Sequence, residues 1–419
     1  MIRRHLQDAI FESLGHFPVV LLTGARQVGK STLVQSLIDS SWKASYFTLD
    51  DRTTLDAALR DPDGFVSGLA TPAAIDEVQR APDLMRALKR RVDRQRKPGQ
   101  YLLTGSANIM TLSTVSESLA GRVALHTLYP FSWAELLEQS SPVLLKNLFE
   151  ATTAREFVKG LRNPKKDCRA QITETILAGG YPPPAFMTST RARREWFSSY
   201  RQTYLERDLL NIRSIEHIPD FNRLLSLAAF RTGRLLNLSD FSRETGLPFT
   251  TLRRYMNLLE VTYQIFQLQP YFVHGGKRLV KTPKIYFNDT GMACYLTGVD
   301  DWTVLENQGN AGPMVETWMA AELIKLMPLS DYRLRLYFWR TQTGQEVDFL
   351  VERGKDLVAI EVKWARRIEE SDIRNLERCA EDLKDRLRFS VVLYGGTEIV
   401  PLSPKIVALP FPVFFGIEG

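Results

Sequence analysis

The residues best suited to chemistry begin with a glycine-rich loop near the N-terminus. This loop fits the pattern GxxxxGKS, follows the apolar run FPVVLLT and precedes the helical sequence LVQSLI. In that context backbone N–H groups and a helix N-terminus hold phosphate oxygens, the lysine reaches the β- and γ-phosphates, and the serine hydroxyl binds Mg²⁺. The predicted ATP-binding residues are Gly24, Ala25, Arg26, Gln27, Val28, Gly29, Lys30, Ser31 and Thr32.

Acidic and small polar residues follow two later apolar stretches. The sequence TPAAIDEVQ predicts a strand that ends in Asp76 and Glu77. We expect Asp76 to hold Mg²⁺ through water, and Glu77 to polarise the water that attacks the γ-phosphate. The run QYLLTGSAN predicts another strand, and its tip carries Ser106 and Asn108 as candidate sensors of the γ-phosphate. Together with the glycine-rich loop, these residues predict ATP hydrolysis.

A second group of acidic residues lies near the C-terminus. The sequences QEVDFLVE and DLVAIEVK predict two neighbouring strands joined by a turn. Glu361 and Lys363 share one face of the second strand because side chains alternate, and Asp348 comes from the first. Asp348 and Glu361 could bracket Mg²⁺ or Mn²⁺, with Lys363 preparing the attacking water and Glu316 helping from an upstream helix. The alternative is an edge strand with a salt-bridged aspartate.

The elements that position these residues belong to a chain of 419 residues, a length typical of roughly three domains. Its 44% hydrophobic and 24% charged residues exclude collagen-like, coiled-coil and disordered chains. No apolar run reaches the roughly 18 residues of a membrane span, so we expect no membrane association. The charged N-terminus predicts an amphipathic helix and not a signal peptide. Three cysteines without a CxxC pair favour a reducing cytoplasm over a zinc or disulfide site.

Positive charge is concentrated in the middle of the chain. Residues 191–290 contain 16 Lys and Arg against 9 Asp and Glu, whereas the whole chain has a net charge of only +6. This excess favours a polyanionic partner, and a solvated basic surface is the alternative.

A helix-turn-helix pattern lies within this basic segment. The sequence LNLSDFSRETGLPFTTLRRYMNLL predicts two helices around a glycine turn, capped by Ser239 and Thr250. Two strands joined by the turn HGGKR follow, which completes the pattern of a winged helix. The alternative to DNA contact is a winged helix that serves only as a lid on the ATPase. The predicted contacts to DNA phosphates are Arg253, Arg254, Lys277 and Arg278.

These motifs together resemble a prokaryotic family of AAA+ ATPases. The phrases GARQVGKSTL, IDEVQ, LLTGSAN, SLAGR, GGYP, YLERDL, PKIYFNDTG, EVDFL and IEVK occur in the order expected of that family and span nearly the whole chain. The resemblance implies a homo-oligomer, a hexameric ring, in which Arg122 is an arginine finger for a neighbouring subunit's nucleotide. The alternative for Arg122 is a surface salt bridge. The Asp348 strand followed by ExK resembles the PD-(D/E)xK nuclease fold of restriction endonucleases and archaeal Holliday junction resolvases.

The sequence therefore predicts an α/β protein with four parts. These are an AAA+ P-loop ATPase domain over 1–140, a helical lid or linker over 141–225, a winged helix over 226–290 and a PD-(D/E)xK nuclease-like domain over 291–419. The predicted function is a cytoplasmic, ATP-dependent enzyme that remodels DNA and cuts it with Mg²⁺. Branched DNA such as a Holliday junction is the expected substrate by fold analogy. The alternatives are a non-cutting ATPase switch and a DNA-binding regulator whose C-terminal domain binds nucleic acid or a protein partner.

Overall fold

A computed structural model describes residues 2–40, 42–106, 121–142, 144–205, 217–271 and 281–417. The chain divides into two units. The first contains Met1–Phe131 with Asn257–Gln264, and the second contains Ser132–Met256 with Ile265–Gly419.

Strands and helices alternate along the first unit, the order typical of a parallel α/β domain. Its strands are β1 (Val19–Thr23), β2 (Ser45–Thr48), β3 (Ala73–Asp76), β4 (Tyr101–Gly105) and β5 (Val123–Thr127). Its helices are α1 (Leu6–His16), α2 (Lys30–Ser40), α3 (Arg52–Arg60), α4 (Pro62–Gly68) and α5 (Leu84–Arg94). The sheet has the order β2-β3-β4-β1-β5, and all its neighbouring strands are parallel.

This strand order fixes where polar side chains meet in the first unit. Strands β1, β3 and β4 are buried along their whole length, as expected for the centre of a parallel sheet covered by helices. Because β4 lies between β1 and β3, the residues that follow these three strands converge at one edge of the sheet. In open α/β sheets that carboxyl edge is where ligands bind.

The second unit begins with helices. These are α6 (Trp133–Leu136), α7 (Leu144–Asn147), α8 (Ala154–Phe157), α9 (Arg169–Ala178), α10 (Pro182–Ala185), α11 (Thr190–Tyr200) and α12 (Ile218–Phe230). Aromatic rings pack the start of α10 against α11: the Tyr181 ring lies 5.1 Å from the Tyr200 ring and 5.4 Å from the Trp196 ring.

A helix-turn-helix and a small antiparallel sheet follow. The elements are β6 (Arg234–Leu235), α13 (Leu238–Thr245), α14 (Phe249–Val261), β7 (Ile265–Leu268) and β8 (Lys284–Phe287), with the sheet order β6-β8-β7. Gly246 ends α13 in the left-handed region, at φ +71°. The predicted caps are wrong. Asn237 caps α13 because its side chain accepts from the Ser239 and Asp240 N–H groups, and Thr250 lies inside α14.

The C-terminal part of the second unit surrounds a six-stranded sheet. Its helices are α15 (Thr290–Leu296), α16 (Trp302–Asn307), α17 (Ala311–Leu326), α18 (Glu370–Leu383) and α19 (Phe411–Phe414). Its strands are β9 (Arg335–Arg340), β10 (Glu346–Arg353), β11 (Asp356–Lys363), β12 (Leu387–Tyr394), β13 (Val400–Ser403) and β14 (Ile406–Pro410), in the order β13-β14-β12-β11-β10-β9. Strands β9, β10 and β11 are antiparallel, and α18 then connects β11 to the parallel strand β12. Within the described ranges, no helix combines the length and the hydropathy needed to cross a membrane.

Candidate functional site

The glycine-rich loop lies at the carboxyl end of β1, and helix α2 begins within it at Lys30. Lys30 is only 5% exposed. Its ammonium donates hydrogen bonds to the carbonyl oxygens of Gly24 at 3.0 Å and Ala25 at 2.8 Å. A phosphate oxygen is a stronger acceptor than a carbonyl oxygen because it is charged, so a bound nucleotide can take over these bonds.

The backbone of the loop requires its glycines. Gly24 and Gly29 have φ angles of +144° and +92°, and Gln27 also has a positive φ, of +65°. A Cβ on Gly24 would in addition collide with the carbonyl oxygen of Leu128. The two glycines of the GxxxxGK pattern therefore serve the shape of the loop, which points backbone N–H groups toward a phosphate.

Arg4, which has no local sequence signal, fixes the same loop. Its guanidinium donates to the Val28 carbonyl oxygen at 2.9 Å and to the Tyr129 carbonyl oxygen at 2.6 Å. It also lies 4.5 Å from the centroid of the Phe131 ring and is 7% exposed. Arg4 thus ties the glycine-rich loop to the segment that follows β5. Its partner Tyr129 is 125 residues away in the chain, so no motif could have identified this role.

Asp76 ends β3 and collects three hydroxyl groups. Ser31 donates to Asp76 Oδ2 at 2.8 Å, Tyr46 donates to the same oxygen at 2.7 Å, and Thr104 donates to Oδ1. Burial and the Asp76 carboxylate raise the pKa of Tyr46, so its hydroxyl remains a donor. Ser31 and Asp76 therefore meet as the two motifs predict. The hydrogen bonds from Tyr46 on β2 and Thr104 on β4 were not predicted from the sequence.

Glu77 follows Asp76 in an unusual backbone conformation for a residue with a side chain, with φ +60° and ψ +41°. Its N–H donates to Thr104 Oγ1 at 3.2 Å, and its carboxylate accepts from the Gln79 amide. The same amide donates to Ser106 Oγ at 2.8 Å. Gln79 therefore links the predicted water-polarising residue to a predicted phosphate sensor. Asn108 lies outside the described residues.

Ser31 and Asp76 fit the Mg²⁺ that a nucleotide in this loop implies. Their oxygens are 2.8 Å apart, and both are hard donors of the kind that Mg²⁺ prefers. Mg²⁺ at nucleotide sites is commonly bound by one or two protein groups together with phosphates and water. These two residues would hold the ion, and the neighbouring hydroxyls of Tyr46 and Thr104 orient the carboxylate.

Arg122 lies at the amino end of the strands, opposite the carboxyl edge that carries the glycine-rich loop. It immediately precedes β5, and its carbonyl oxygen accepts from the Val19 N–H at the start of β1. Because β1 and β5 are parallel, the five residues of β1 separate Arg122 from the glycine-rich loop by about 16 Å. Its guanidinium forms two contacts with the Asp93 carboxylate, at 2.6 and 3.0 Å, and this pairing lowers the pKa of Asp93. Arg122 therefore does not reach the loop of its own chain, and a role on a neighbouring subunit stays a prediction.

In the second unit, Asp348 and Glu361 lie on the adjacent strands β10 and β11, as expected. Asp348 Oδ2 accepts from the Val362 N–H at 2.8 Å, and Lys363 Nζ lies 3.0 Å from Glu361 Oε1. Burial raises the pKa of Asp348 well above its ordinary value, and the charges of Glu361 and Glu316 raise it further. Burial also raises the pKa of Glu361 to about 7, against the opposing effect of Lys363.

A buried lysine lies in the middle of this acidic centre. Lys284 on β8 is 2% exposed, and its Nζ lies 2.7 Å from Glu316 Oε1, 2.5 Å from Glu346 Oε1 and 4.0 Å from Asp348 Oδ1. Tyr286 also donates to Glu316 Oε1, at 2.6 Å. Burial alone would lower the pKa of Lys284, but the surrounding carboxylates raise it above its ordinary value, so Lys284 is charged.

The carboxylates that lie closest together differ from the predicted metal ligands. The carboxylates whose oxygens all lie within 4.8 Å of one another are Glu316, Glu346 and Asp348, and Glu361 is not a member of that group. Lys284 already contacts two of the three. Lys284 therefore competes with any divalent cation for Glu316 and Glu346, and a metal site at Asp348 and Glu361 stays a prediction. The sequence could have predicted Glu346 as a member of this group. It precedes Asp348 by two residues, and residues two apart on a strand share a face.

The predicted DNA contacts differ in exposure. Arg253 on α14 is exposed, and its guanidinium lies 4.5 Å from the centroid of the Phe249 ring. Arg254 is half-buried and lies 5.5 Å from the ring of Tyr255. Lys277 and Arg278 fall outside the described residues. Of the two described candidates, Arg253 is the better placed to meet a phosphate.

Comparison with protein families divides the chain into three matched regions. Residues 16–137 match the family described as "AAA domain". Residues 169–303 and 311–414 match two families described as "Domain of unknown function", DUF8612 and DUF4143. The prediction of an AAA-type ATPase is thus confirmed for the N-terminal region. The nuclease-like character of the C-terminal region stays a prediction.

Two mycobacterial proteins are similar to this chain over nearly its whole length. They are the uncharacterized proteins Rv2008c of Mycobacterium tuberculosis and Mb2031c of Mycobacterium bovis. Each is 33% identical over 410 residues, which are 97% of this chain and 83% of the relative.

Solved structures show weaker similarity. The Walker-type ATPase PABY2304 of Pyrococcus abyssi is 16% identical with a TM-score of 0.41, over 71% of this chain and 96% of that one. The Thermotoga maritima RuvB Holliday junction branch migration motor is 16% identical with a TM-score of 0.29, over 63% of this chain and 86% of that one. At these scores, neither structure supports an argument about substrate.

Proposed function

This chain belongs to the family of the mycobacterial proteins Rv2008c and Mb2031c, and we propose that it is an ATP hydrolase that uses its hydrolysis cycle as a switch and does not cut nucleic acid. The observation that supports ATP hydrolysis most directly is the 2.8 Å hydrogen bond between Ser31 and Asp76. It brings the end of the glycine-rich loop against the acidic end of β3, where a nucleotide's phosphates, a metal ion and an attacking water must meet.

Each residue of this site has a separate task in the proposed reaction. Lys30 neutralises the β- and γ-phosphates and stabilises the charge that develops on them during transfer. Ser31 and Asp76 would hold Mg²⁺, which would supply further charge neutralisation at the phosphates. Glu77 accepts a hydrogen bond from the attacking water and orients it toward the γ-phosphate. Gln79 restrains Glu77, since its amide bonds both the Glu77 carboxylate and Ser106.

Loss of turnover on removing Lys30 tests this proposal. With the purified full chain, Lys30→Ala should weaken ATP binding and lower the rate of phosphate release by on the order of 10²-fold or more. Lys43→Ala is the matched control, because Lys43 is an exposed lysine of the same unit that contacts the backbone of Asp39. An unchanged rate in Lys30→Ala would contradict the proposed site.

DNA is the partner that we propose for the switch. The supporting observation is the exposed Arg253 on α14, the helix that follows the Gly246 turn, within the stretch that has the excess of positive charge. A guanidinium on that surface can neutralise a phosphate and release a counterion. We also propose a homo-oligomer, because Arg122, if it is an arginine finger, has to act on the nucleotide of another copy.

DNA cleavage is not part of the proposal. A metal-dependent nuclease needs carboxylates that are free to bind the ion, and Glu316 and Glu346 are engaged with Lys284. Cleavage remains separately testable: incubation of the full chain with Mg²⁺ or Mn²⁺ and forked, four-way, single-stranded or linear DNA should leave each substrate intact, with or without ATP. Cutting that Asp348→Asn abolishes would contradict the non-cutting switch and leave the ATPase proposal standing.

A further inference from the structure

The acidic centre of the second unit contains a cation supplied by the chain itself. We propose that Lys284 takes the place of the divalent metal in this nuclease-like centre, so that Glu316, Glu346 and Asp348 form a metal-free charge cluster that joins β8 to α17 and β10. The inference does not depend on ATP hydrolysis, because all four residues lie in the second unit.

Several carboxylate oxygens of the cluster already have partners. Glu316 Oε1 accepts from Lys284 Nζ at 2.7 Å and from the Tyr286 hydroxyl at 2.6 Å, which occupies both lone pairs of that oxygen. Glu346 pairs through Oε1 with Lys284 and through Oε2 with Arg340. A metal ion could bind Glu316 Oε1 only by displacing Lys284 or Tyr286, and at Glu346 it would lie beside Lys284 and Arg340.

The distances also leave too little room for two cations. Mg²⁺ binds oxygen at about 2.1 Å, so an ion bound to Glu346 Oε1 would lie less than about 5 Å from the Lys284 ammonium, given the 2.5 Å contact. Like charges at that separation repel strongly where water is excluded. Lys284 is 2% exposed, so solvent would not screen the repulsion.

Cations of the chain itself compensate much of the negative charge of the centre without a metal. The carboxylates of the centre are Glu316, Glu346, Asp348 and Glu361. The cations that contact them are Lys284, Arg340 and Lys363. A buried ion pair is costly to break because the remaining charge loses its partner, so removing any one of these cations should destabilise the cluster.

Mn²⁺ binding to the nucleotide-free full chain tests the proposal. The electron paramagnetic resonance signal of free Mn²⁺ reports binding, and thermal unfolding with and without Mn²⁺ reports its effect on stability. We expect the wild type and Asp348→Asn to bind the same amount of Mn²⁺. We also expect Mn²⁺ not to raise the Tm of the wild type. Lys284→Met should lower Tm by roughly 10 °C, because it leaves buried carboxylates unpaired. Mn²⁺ should then raise the Tm of Lys284→Met, and it should not raise the Tm of the double variant that also carries Asp348→Asn.

Lys281→Met is the matched control, since Lys281 is an exposed lysine three positions before Lys284 and its loss removes the same charge. It should leave Tm and Mn²⁺ binding unchanged. If Lys284→Met does not fold, Lys284→Gln replaces it, and the wild-type measurement stands by itself. Wild-type Mn²⁺ binding that Asp348→Asn abolishes, or a Lys284→Met variant with wild-type Tm, would overturn the proposal.

Discussion

The Gln79 amide lies between Glu77 and Ser106, donating to the Glu77 carboxylate and, at 2.8 Å, to Ser106 Oγ. This single side chain connects the ends of β3 and β4, the strands that carry the proposed water-polarising group and a candidate phosphate sensor. The left-handed backbone of Glu77, at φ +60°, directs its carboxylate into this contact. The position of Glu77 is therefore held by its neighbours and not by its own strand.

Gln79→Ala should slow ATP hydrolysis without weakening ATP binding. Removing the amide frees Glu77 to leave its position, and small misplacements of catalytic groups cost roughly 10- to 100-fold in rate. We expect kcat to fall by that factor and KM to stay nearly constant. Gln95→Ala is the control, because Gln95 is an exposed glutamine of the same unit. A higher KM with unchanged kcat would show that Gln79 contributes to binding instead.

Arg122 should act on the nucleotide of another subunit. An arginine finger contributes roughly 10³-fold or more to turnover, so Arg122→Ala alone and Lys30→Ala alone should both be nearly inactive. Mixing the two variants should restore part of the activity, because a Lys30→Ala subunit still carries Arg122 beside the intact site of its neighbour. Asp93→Asn is the control: it breaks the ion pair but keeps the arginine, so it should retain turnover. A monomer with full ATPase activity would rule this role out.

Arg253 should contact a DNA phosphate. Arg253→Ala should lower the slope of log Kd against log salt concentration by about one and weaken different sequences equally. Arg374→Ala is a suitable control, since Arg374 is an exposed arginine on α18 and not part of the helix-turn-helix. Fluorescence anisotropy over a salt series gives the slope. Unchanged binding in a combined Arg253, Arg254, Lys277 and Arg278 alanine variant would favour the lid interpretation of the winged helix.

Glu361 should make the protein less stable as the pH rises from about 4.5 to about 7. Burial raises its folded pKa from 4.5 to about 7, so across this window the unfolded chain releases the proton while the folded chain keeps it. Folding then loses up to about 3 kcal/mol from this group, and the loss is complete above pH 7. Glu361→Gln should flatten this part of the profile, measured by urea unfolding at pH 5 and pH 8. An equal decline in the wild type and the variant would exclude Glu361 as its source.

The ATP site could be predicted largely from the sequence because its determinants are local. The spacing of Gly24, Gly29 and Lys30 is the loop itself, and the IDE run places Asp76 at a strand end. The hydroxyl of Tyr46 and the guanidinium of Arg4 could not be predicted, because they reach the site through strand pairing and packing. Their partners are 30 residues away for Tyr46 and up to 125 residues away for Arg4.

The acidic centre shows more clearly what could not be predicted from the sequence. The spacing of Asp348, Glu361 and Lys363 predicts neighbouring strands correctly, but not which charge lies among the carboxylates. Lys284 comes from β8, which forms part of a different sheet, and it lies 32 residues before Glu316 in the chain. A lysine within a strand-length run is ordinarily expected at the surface, whereas this one is 2% exposed.

Glu77→Gln gives the most direct test of the proposed ATP hydrolysis. The change keeps the size and hydrogen-bonding ability of the side chain but removes the carboxylate that polarises water. Under single-turnover conditions with radiolabelled ATP, the variant should bind ATP as tightly as the wild type. Its rate of phosphate release should be lower by on the order of 10²-fold or more. Phosphate release by Glu77→Gln at the wild-type rate would contradict the proposed ATP site.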